Sequence, residues 1–416
     1  MKIGVFGLWH LGCTIAASWS KLGFDVIGYD YDYLTIDKLK NGIIPIFEPF
    51  LEETINENLK LGKLKFTHNQ NDLSDCDYVF ISYDTPVNND DTSDISILTN
   101  SINDLSKILK DNSIVIISSQ TPVGVCGELC KILKNYNSTL ELAYSPENLR
   151  LGEAIECYLH PERIILGINN SKTEMACLKL FNNIQGGVMC MNLESAEMVK
   201  HGINSYLSMS IVFANHLADV CSEKGANIND VIMGIKSDPR IGNKAYLSPG
   251  IGFSGGTLGR DLKALKNTNV EGSKLFGIIY DLNEERKYTI IRKIKKCFGK
   301  LNGKNIGVLG LTYKAGTSTL RRSLPIEIVN LLIDEDAKVI AYDPKADYND
   351  LILTNINFLI ADSISDLLKK VNYVIILTDW MDFKYYDWSS INKNISILDT
   401  KNYLDINNEK IKYYTL

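Results

Sequence analysis

Short apolar runs alternate with stretches of helical spacing through the first third of the chain. Lys2–Phe6 is an apolar run that stops at Gly7, and Cys13–Leu22 follows with helical spacing and stops at Gly23, a C-terminal helix signal. Phe24–Tyr29 is a second run closed by Asp30, and Asp77–Ser82, Ser113–Ser118, Leu140–Tyr144 and Arg163–Gly167 repeat the pattern. This alternation predicts βαβ units and a parallel sheet covered by helices on both faces. From about Leu193 to Lys224 no turn signal intervenes, and apolar Val199, Ile203, Leu207, Ile211, Ala214 and Ala218 predict one long helix. A second helical stretch is expected over roughly Lys263 to Phe298. The βαβ grammar then returns with Asn305–Leu309, a turn containing Gly310, Ile326–Asp334, Lys338–Tyr342 closed by Asp343-Pro344, Tyr373–Leu377 and Ser396–Asp399. The fold class is α/β, with two doubly wound domains joined by a central all-helical domain, divided at 1–192, 193–299 and 300–416.

A chain of 416 residues is too long for one ordinary core, which agrees with several domains. Hydrophobic residues at 45% and charged residues at 23% are values of an ordered globular protein. The net charge of -6 and the lack of a long Lys/Arg run argue against a nucleic-acid partner. The start, MKIGVFGLWH, runs straight into a strand-turn pattern and has no signal-peptide grammar, and no apolar stretch is long enough to span a membrane. A cytoplasmic protein is expected. The nine cysteines are scattered, which argues for reduced thiols. Cys126 and Cys130, one helical turn apart with no second ligand pair, read as packed helix thiols, and no metal is expected.

Candidate chemistry begins at Gly7-Leu8-Trp9-His10-Leu11-Gly12, which follows a strand, with Asp30 closing the next strand 18 residues after Gly12. In a dinucleotide fingerprint of the Rossmann type the first glycine makes the tight turn and the last lets the helix pack closely. The helix N-terminus faces the pyrophosphate and the acid takes the ribose hydroxyls. Asp30 favours NAD, because a carboxylate there repels a 2′-phosphate. Trp9 stands where a middle glycine normally admits the phosphate; either its side chain points away and leaves the backbone donors usable, or it displaces the cofactor slightly.

Four further stretches, in order, carry a resemblance. They are Asn41-Gly42-Ile43-Ile44-Pro45-Ile46-Phe47-Glu48-Pro49, then Thr85-Pro86 after Phe80-Ile81-Ser82, then Ser118-Ser119-Gln120-Thr121-Pro122-Val123-Gly124, then Ser145-Pro146-Glu147 followed by Gly152. Together they resemble the UDP-glucose/GDP-mannose dehydrogenase family over nearly the whole length. The resemblance implies two Rossmann-like domains, NAD as cofactor, a nucleotide-sugar substrate, a homodimer and a place in polysaccharide biosynthesis. Cofactor contacts are then expected from Gly7, Trp9, His10, Leu11, Gly12, Asp30, Thr85, Pro86, Gln120 and Arg321.

Lys200 and Asn204 lie four apart on the long helix, with Ser208 next in the row. Unaided, this is a polar stripe; in the resembling family the pair faces the sugar, where an amine can stabilise an alkoxide and an amide can orient the same oxygen. Asp238-Pro239-Arg240-Ile241-Gly242, followed by Tyr246 and Pro249, resembles the loop that carries an arginine into the neighbouring subunit's substrate site, with an Arg–Tyr spacing one residue longer than the family's. Gly252-Phe253-Ser254-Gly255-Gly256-Thr257-Leu258-Gly259-Arg260-Asp261 resembles the catalytic loop, in which the family carries a cysteine where this chain has Thr257. That thiolate forms a hemithioacetal and then a thioester; a threonine hydroxyl is a far weaker nucleophile. Leu151 stands in place of a second glutamate, and Gln120 in place of a threonine. Leu309-Gly310-Leu311-Thr312-Tyr313-Lys314, then Arg321, Ser323 and Pro325, resembles the C-terminal nucleotide-sugar domain. The implied catalytic set is Lys200, Asn204, Asp261, Thr257 and the water-orienting Glu147. The implied substrate contacts add Leu149, Arg150, Arg240, Tyr246, Gly252, Phe253, Gly256 and Lys314.

The resulting expectation is oxidation at C6 of a nucleoside-diphosphate hexose, UDP-linked by preference, to the aldehyde or the uronic acid without the usual thioester. Two alternatives stand beside it: an NAD-using epimerase or oxidation at another carbon, and an inactive nucleotide-sugar-binding protein.

Overall fold

The computed structural model describes every residue except 47, 86–92, 147–148, 150–151 and 352–356. The chain forms two compact units, Met1–Gly202 and Ile203–Leu416. The long helix runs from Leu193 to Lys224, the bounds its uninterrupted pattern predicts, and the division falls within it.

The first unit is built on eight strands: β1 (Lys2–Phe6), β2 (Asp25–Tyr29), β3 (Leu64–Thr67), β4 (Tyr78–Ile81), β5 (Ile114–Ile117), β6 (Glu141–Tyr144), β7 (Arg163–Ile168) and β8 (Gly187–Met191). Their order is β3-β2-β1-β4-β5-β6-β7-β8, so the chain winds outward from β1 and then reverses direction at β4. The strands are near-continuous apolar runs because both faces are covered. Ile3, Val5 and Phe80 pack with Ala16 and Trp19 on one face, while Phe6, Val79 and Val115 pack with Ile102, Leu105 and Leu129 on the other. One expectation needs correcting, since the sheet is not parallel throughout: β7 pairs antiparallel with β6, and β8 is parallel to β7. Among the described residues between β6 and β7 the one helix is Ala154–Leu159, about 9 Å long, too short to return the chain for a parallel crossover.

The second unit holds the remainder of the long helix, the helices Ile228–Ser237, Leu258–Lys266 and Lys274–Phe298, and a second sheet. Its strands are β9 (Asn305–Leu309), β10 (Lys338–Tyr342), β11 (Leu359–Ile360), β12 (Tyr373–Ile376), β13 (Ile395–Asp399) and β14 (Ile411–Thr415), in the order β11-β10-β9-β12-β13-β14. Every pairing in this sheet is parallel. The helix expected over Lys263 to Phe298 is two helices, broken where Asn269 adopts a left-handed φ of 56°. Among the described residues no group of three or more His, Cys, Asp or Glu is placed to hold a metal ion, and no helix is long and apolar enough to cross a membrane.

Asp343, just past β10, fixes the strand ends of this second sheet. Its Oδ2 accepts from the N–H groups of Leu311 and Thr312, the Thr312 hydroxyl and the Trp380 indole, and its Oδ1 accepts from the N–H groups of Lys345 and Ala346. Removing such a carboxylate leaves several buried donors unmet at once. Asp343→Ala is therefore expected to cost about 3 kcal/mol or more, read as a lowered urea midpoint for the Ile203–Leu416 unit with its m-value unchanged.

Candidate active site

The reversal of strand order between β1 and β4 opens a crevice at the carboxyl ends of the strands, the place where doubly wound sheets bind ligands. The turn after β1 is built for close approach. Gly7 has φ +104°, its N–H donates to the Tyr29 carbonyl at 2.9 Å, and a Cβ on it would meet Tyr83. At Gly12 a Cβ would collide with the Gly7 carbonyl, so only glycine lets the helix His10–Lys21 start directly against the strand end. The first intrahelical bond runs from Cys13 N–H to the Trp9 carbonyl at 2.9 Å, which leaves the N–H groups of the first turn for an anion. Trp9 is 52% exposed.

Asp30 is held by two backbone donors, Leu8 N–H on Oδ2 at 2.7 Å and Asp32 N–H on Oδ1 at 2.9 Å. Each oxygen keeps a lone pair for a ribose hydroxyl. The same turn recurs in the second unit, where Gly310 has φ +91° and donates to the Tyr342 carbonyl at 2.9 Å. There the equivalent acid, Asp343, is filled by its six donors, the Trp380 indole included. The first unit is the one whose acid has capacity left for a dinucleotide, and its residues fit NAD.

The loops after β4 and β5 are joined where the Thr85 hydroxyl donates to the Gln120 carbonyl at 2.9 Å. His10 bonds through Nε2 to the buried Glu48 at 2.8 Å, and Glu48 also accepts from Gly152 N–H and Ala154 N–H at 3.1 and 2.9 Å. Leu149 borders a cavity with Leu11, Ser118, Ser145, Pro146 and Arg163. Pro86, Glu147, Arg150 and Leu151 lie outside the described residues.

On the long helix Lys200 is half-buried, and Asn204, one turn on, is buried and donates through Nδ2 to Oδ2 of Asp261. Asp261 is fully buried in the first turn of the helix Leu258–Lys266, and Thr257 stands exposed at that helix's N-cap. Two of the three polar groups expected to converge are thus in direct contact, although 57 residues separate them. Three side chains latch the loop before Thr257. Gly250 N–H donates to Asn215 Oδ1 at 2.7 Å, the Arg286 guanidinium donates to the Gly250 carbonyl at 3.0 Å, and Asn283 makes a reciprocal pair with the backbone of Phe253. Gly252 has φ +114°, and a Cβ there would strike Asn283. The next residues lie against the stretch after β9: Gly255 N–H donates to the Arg322 carbonyl at 2.9 Å, and Gly255 packs on Tyr313, whose ring lies 5.8 Å from the Lys314 ammonium.

Arg240 is exposed and folds back on Asp238 with a bidentate pair at 3.0 and 2.7 Å. Tyr246 and Gly256 are exposed, and Phe253 is buried. Arg321 pairs with Asp350 at 2.9 Å. The loop 252–261 contains no cysteine. Cys221 sits in the core with Ala214, Ala218 and Ile228, and burial pushes the Cys297 thiol up. In the first unit burial drives Cys76 and Cys177 up to about 12.

Sequence reasoning missed Glu48, Glu197, Asn283 and Arg286. Each is a lone polar residue on a helix or loop, and its spacing alone does not separate it from a solvated one. Two carried a usable signal: Glu48 lies in the 41–49 stretch that carries the resemblance, and Glu197 lies three residues before Lys200 on the same helix face.

Residues 1–185 match the NAD binding domain of the UDP-glucose/GDP-mannose dehydrogenase family, residues 194–284 its central domain and residues 307–407 its UDP binding domain. A UDP-glucose 6-dehydrogenase of Rickettsia conorii is 34% identical over 426 residues, covering 99% of this chain and 97% of that protein. Among solved structures, a UDP-glucose dehydrogenase from Pyrobaculum islandicum superposes with a TM-score of 0.89 at 25% identity, covering 100% of this chain and 97% of the other. A UDP-D-ManNAc dehydrogenase from Pyrococcus horikoshii gives 0.87 at 27% identity, covering 100% and 99%. With a glycine turn and ribose acid at its N-terminal switch point, and with that family's three domains in order, the chain belongs to the UDP-glucose/GDP-mannose dehydrogenase family of NAD-dependent oxidoreductases.

Proposed function

We propose that this protein oxidises the C6 alcohol of a UDP-linked hexose, in the cytoplasm and as a homodimer, with its work divided among 1–192, 193–299 and 300–416. The observation that carries the reading is the buried bond between Asn204 and Asp261 beside the loop that ends at Thr257. NAD, when bound, supplies the hydride acceptor. Asp261 takes one N–H of the Asn204 amide and so fixes its rotamer, which directs the second N–H to O6 of the sugar. The Lys200 ammonium meets the negative charge that grows on O6 as C6 gives up its hydride. Glu147 orients water, and Lys314 and Arg240 meet the diphosphate, Arg240 after exchanging its Asp238 partner for a substrate in the facing protomer. Leu149, Arg150, Tyr246, Gly252, Phe253 and Gly256 line the sugar.

Thr257 alters the second half of the reaction. Its hydroxyl stays protonated at neutral pH, so an acyl-enzyme is not formed readily. The second hydride then leaves from an aldehyde hydrate, or the 6-aldehydo sugar is released. Purified protein with NAD and a panel of UDP- and GDP-sugars, followed at the NADH absorbance, should give one NADH per sugar or a slow second. Two rapid NADH per sugar with a trapped acyl-enzyme would refute this. Sugar interconversion without NADH points instead to an epimerase, and tight binding with no turnover to a binding protein.

Thr257→Cys tests the same position from the other side. The residue occupies the N-cap position of the helix Leu258–Lys266, where the positive end of the dipole favours a thiolate. This variant is expected to speed the second hydride transfer about tenfold or more and to give a covalent adduct by intact-protein mass spectrometry. No adduct and no faster second step would mean that Thr257 does not face the reacting carbon.

The dimer is supported by an apolar row on the long helix in which Tyr206, Met209, Phe213 and Val220, at spacings of three, four and seven, are all exposed. Phe213→Glu should shift the protein to a monomer in light scattering and raise KM for the sugar by about tenfold or more, because Arg240 acts across the interface, while NAD affinity holds. A monomer with unchanged KM would place Arg240 in its own subunit's site.

A further inference from the structure

Glu197 and His201 stand one turn apart at the start of the long helix, on the polar arc of about 100° that also carries Lys200, Asn204 and Ser208. Glu197 is fully buried, and its carboxylate accepts from Gly124 N–H at 2.6 Å, Cys126 N–H at 2.8 Å and the Thr121 hydroxyl at 3.2 Å. The two backbone donors belong to the N-terminus of the helix Val125–Tyr136. Its N-cap residue is Gly124, with φ 94°, which has no side chain of its own to satisfy them. His201 is 2% exposed and donates from Nε2 to the Thr121 carbonyl at 2.9 Å. Thr121 is therefore gripped twice by one helix, through its side chain and through its backbone. It lies in the turn after β5, next to Gln120, whose carbonyl receives the Thr85 hydroxyl. Burial, with Glu197 beside it, pushes the Cys126 thiol well above its ordinary range, so Cys126 is a packing group here and not a reactive one.

We propose that Glu197 and His201 are positioning residues, a clamp on Thr121 that sets the axial register of the long helix against the cofactor-side turn and thereby the reach of Lys200 toward the reacting carbon. The proposal rests on the reading that Lys200 and Asn204 meet the sugar oxygen. The charge and the donor serve different ends. The carboxylate caps the helix N-terminus that anchors the turn, and the imidazole N–H fixes rotation about the long helix's own axis. Lys200 sits between the two grips, so a slip of one residue at either turns its side chain by about 100°.

The test compares two variants of one residue. His201→Gln keeps an N–H donor of similar reach and should hold kcat within about threefold, whereas His201→Phe should lower kcat by about tenfold or more while the NAD dissociation constant stays within about twofold. Equal losses in the two variants, or a loss in His201→Phe that follows NAD affinity instead of kcat, would overturn the clamp. Amide hydrogen exchange gives a readout that needs no turnover: Glu197→Gln should speed exchange at residues 121–126, and unchanged exchange there would also overturn it. If Glu197→Gln does not fold, His201→Phe carries the exchange measurement on the same residues. A wild-type protein that makes no NADH from any nucleotide sugar defeats the reading of Lys200, and the clamp is then decided by exchange alone.

Discussion

A carboxylate taken out of water costs several kcal/mol unless donors meet it, and this chain places its buried acids where loops must be held. Asp30 draws the turn after β1 onto the end of β2, and Asp343 does the same for the second sheet. Glu48 joins the start of the helix His10–Lys21 to the backbone at Gly152 and Ala154. Glu197 holds the turn after β5, and Asp261 holds the amide of Asn204. Asp399 gathers four successive N–H groups, from Lys401 to Leu404, together with the Tyr413 hydroxyl. Loops at the carboxyl ends of strands are irregular and would otherwise leave polar backbone unmet. The acids convert them into fixed frames on which a site can stand.

The two sheets share a winding order and a turn but diverge in what their acids are left to do. Among the described residues Asp30 is met by backbone donors alone, and its remaining lone pairs are a binding resource. Asp343 has been absorbed into the fold, because Trp380 adds an indole N–H to an oxygen that already accepts from Leu311 and Thr312. A fold type is thus repeated while its function is not, and the difference lies in one aromatic side chain and the donors around it.

Much of this is legible in the sequence. The turn at Gly7, the acid at Asp30 and the bounds of the long helix follow from residue types whose geometry leaves few choices. β3, β8, β11 and β14 were not read: Leu359–Ile360 is too short for a period to emerge, and Lys65 and Lys412 interrupt the apolar runs of β3 and β14. The break at Asn269 was overlooked although Asn tolerates φ > 0, because the apolar spacing on either side hid it. That Asn204 and Asp261 belong to one polar centre with Lys200 was expected from the resemblance, whereas the direct bond between them follows from no local rule, since 57 residues separate them. Asn283 and Arg286 were missed for a related reason: on an amphipathic helix a polar residue facing a neighbouring loop looks like one facing solvent.

Threonine at position 257 has one more consequence, in redox biology. A catalytic thiolate is the group in such a site most open to peroxide and to alkylating reagents, and it is lost irreversibly once it passes the sulfinic stage. Here that position carries a hydroxyl, and six of the nine thiols elsewhere are buried. On the function proposed above, a centre with a hydroxyl at position 257 is expected to keep working under oxidative stress that would silence a thiol-dependent one.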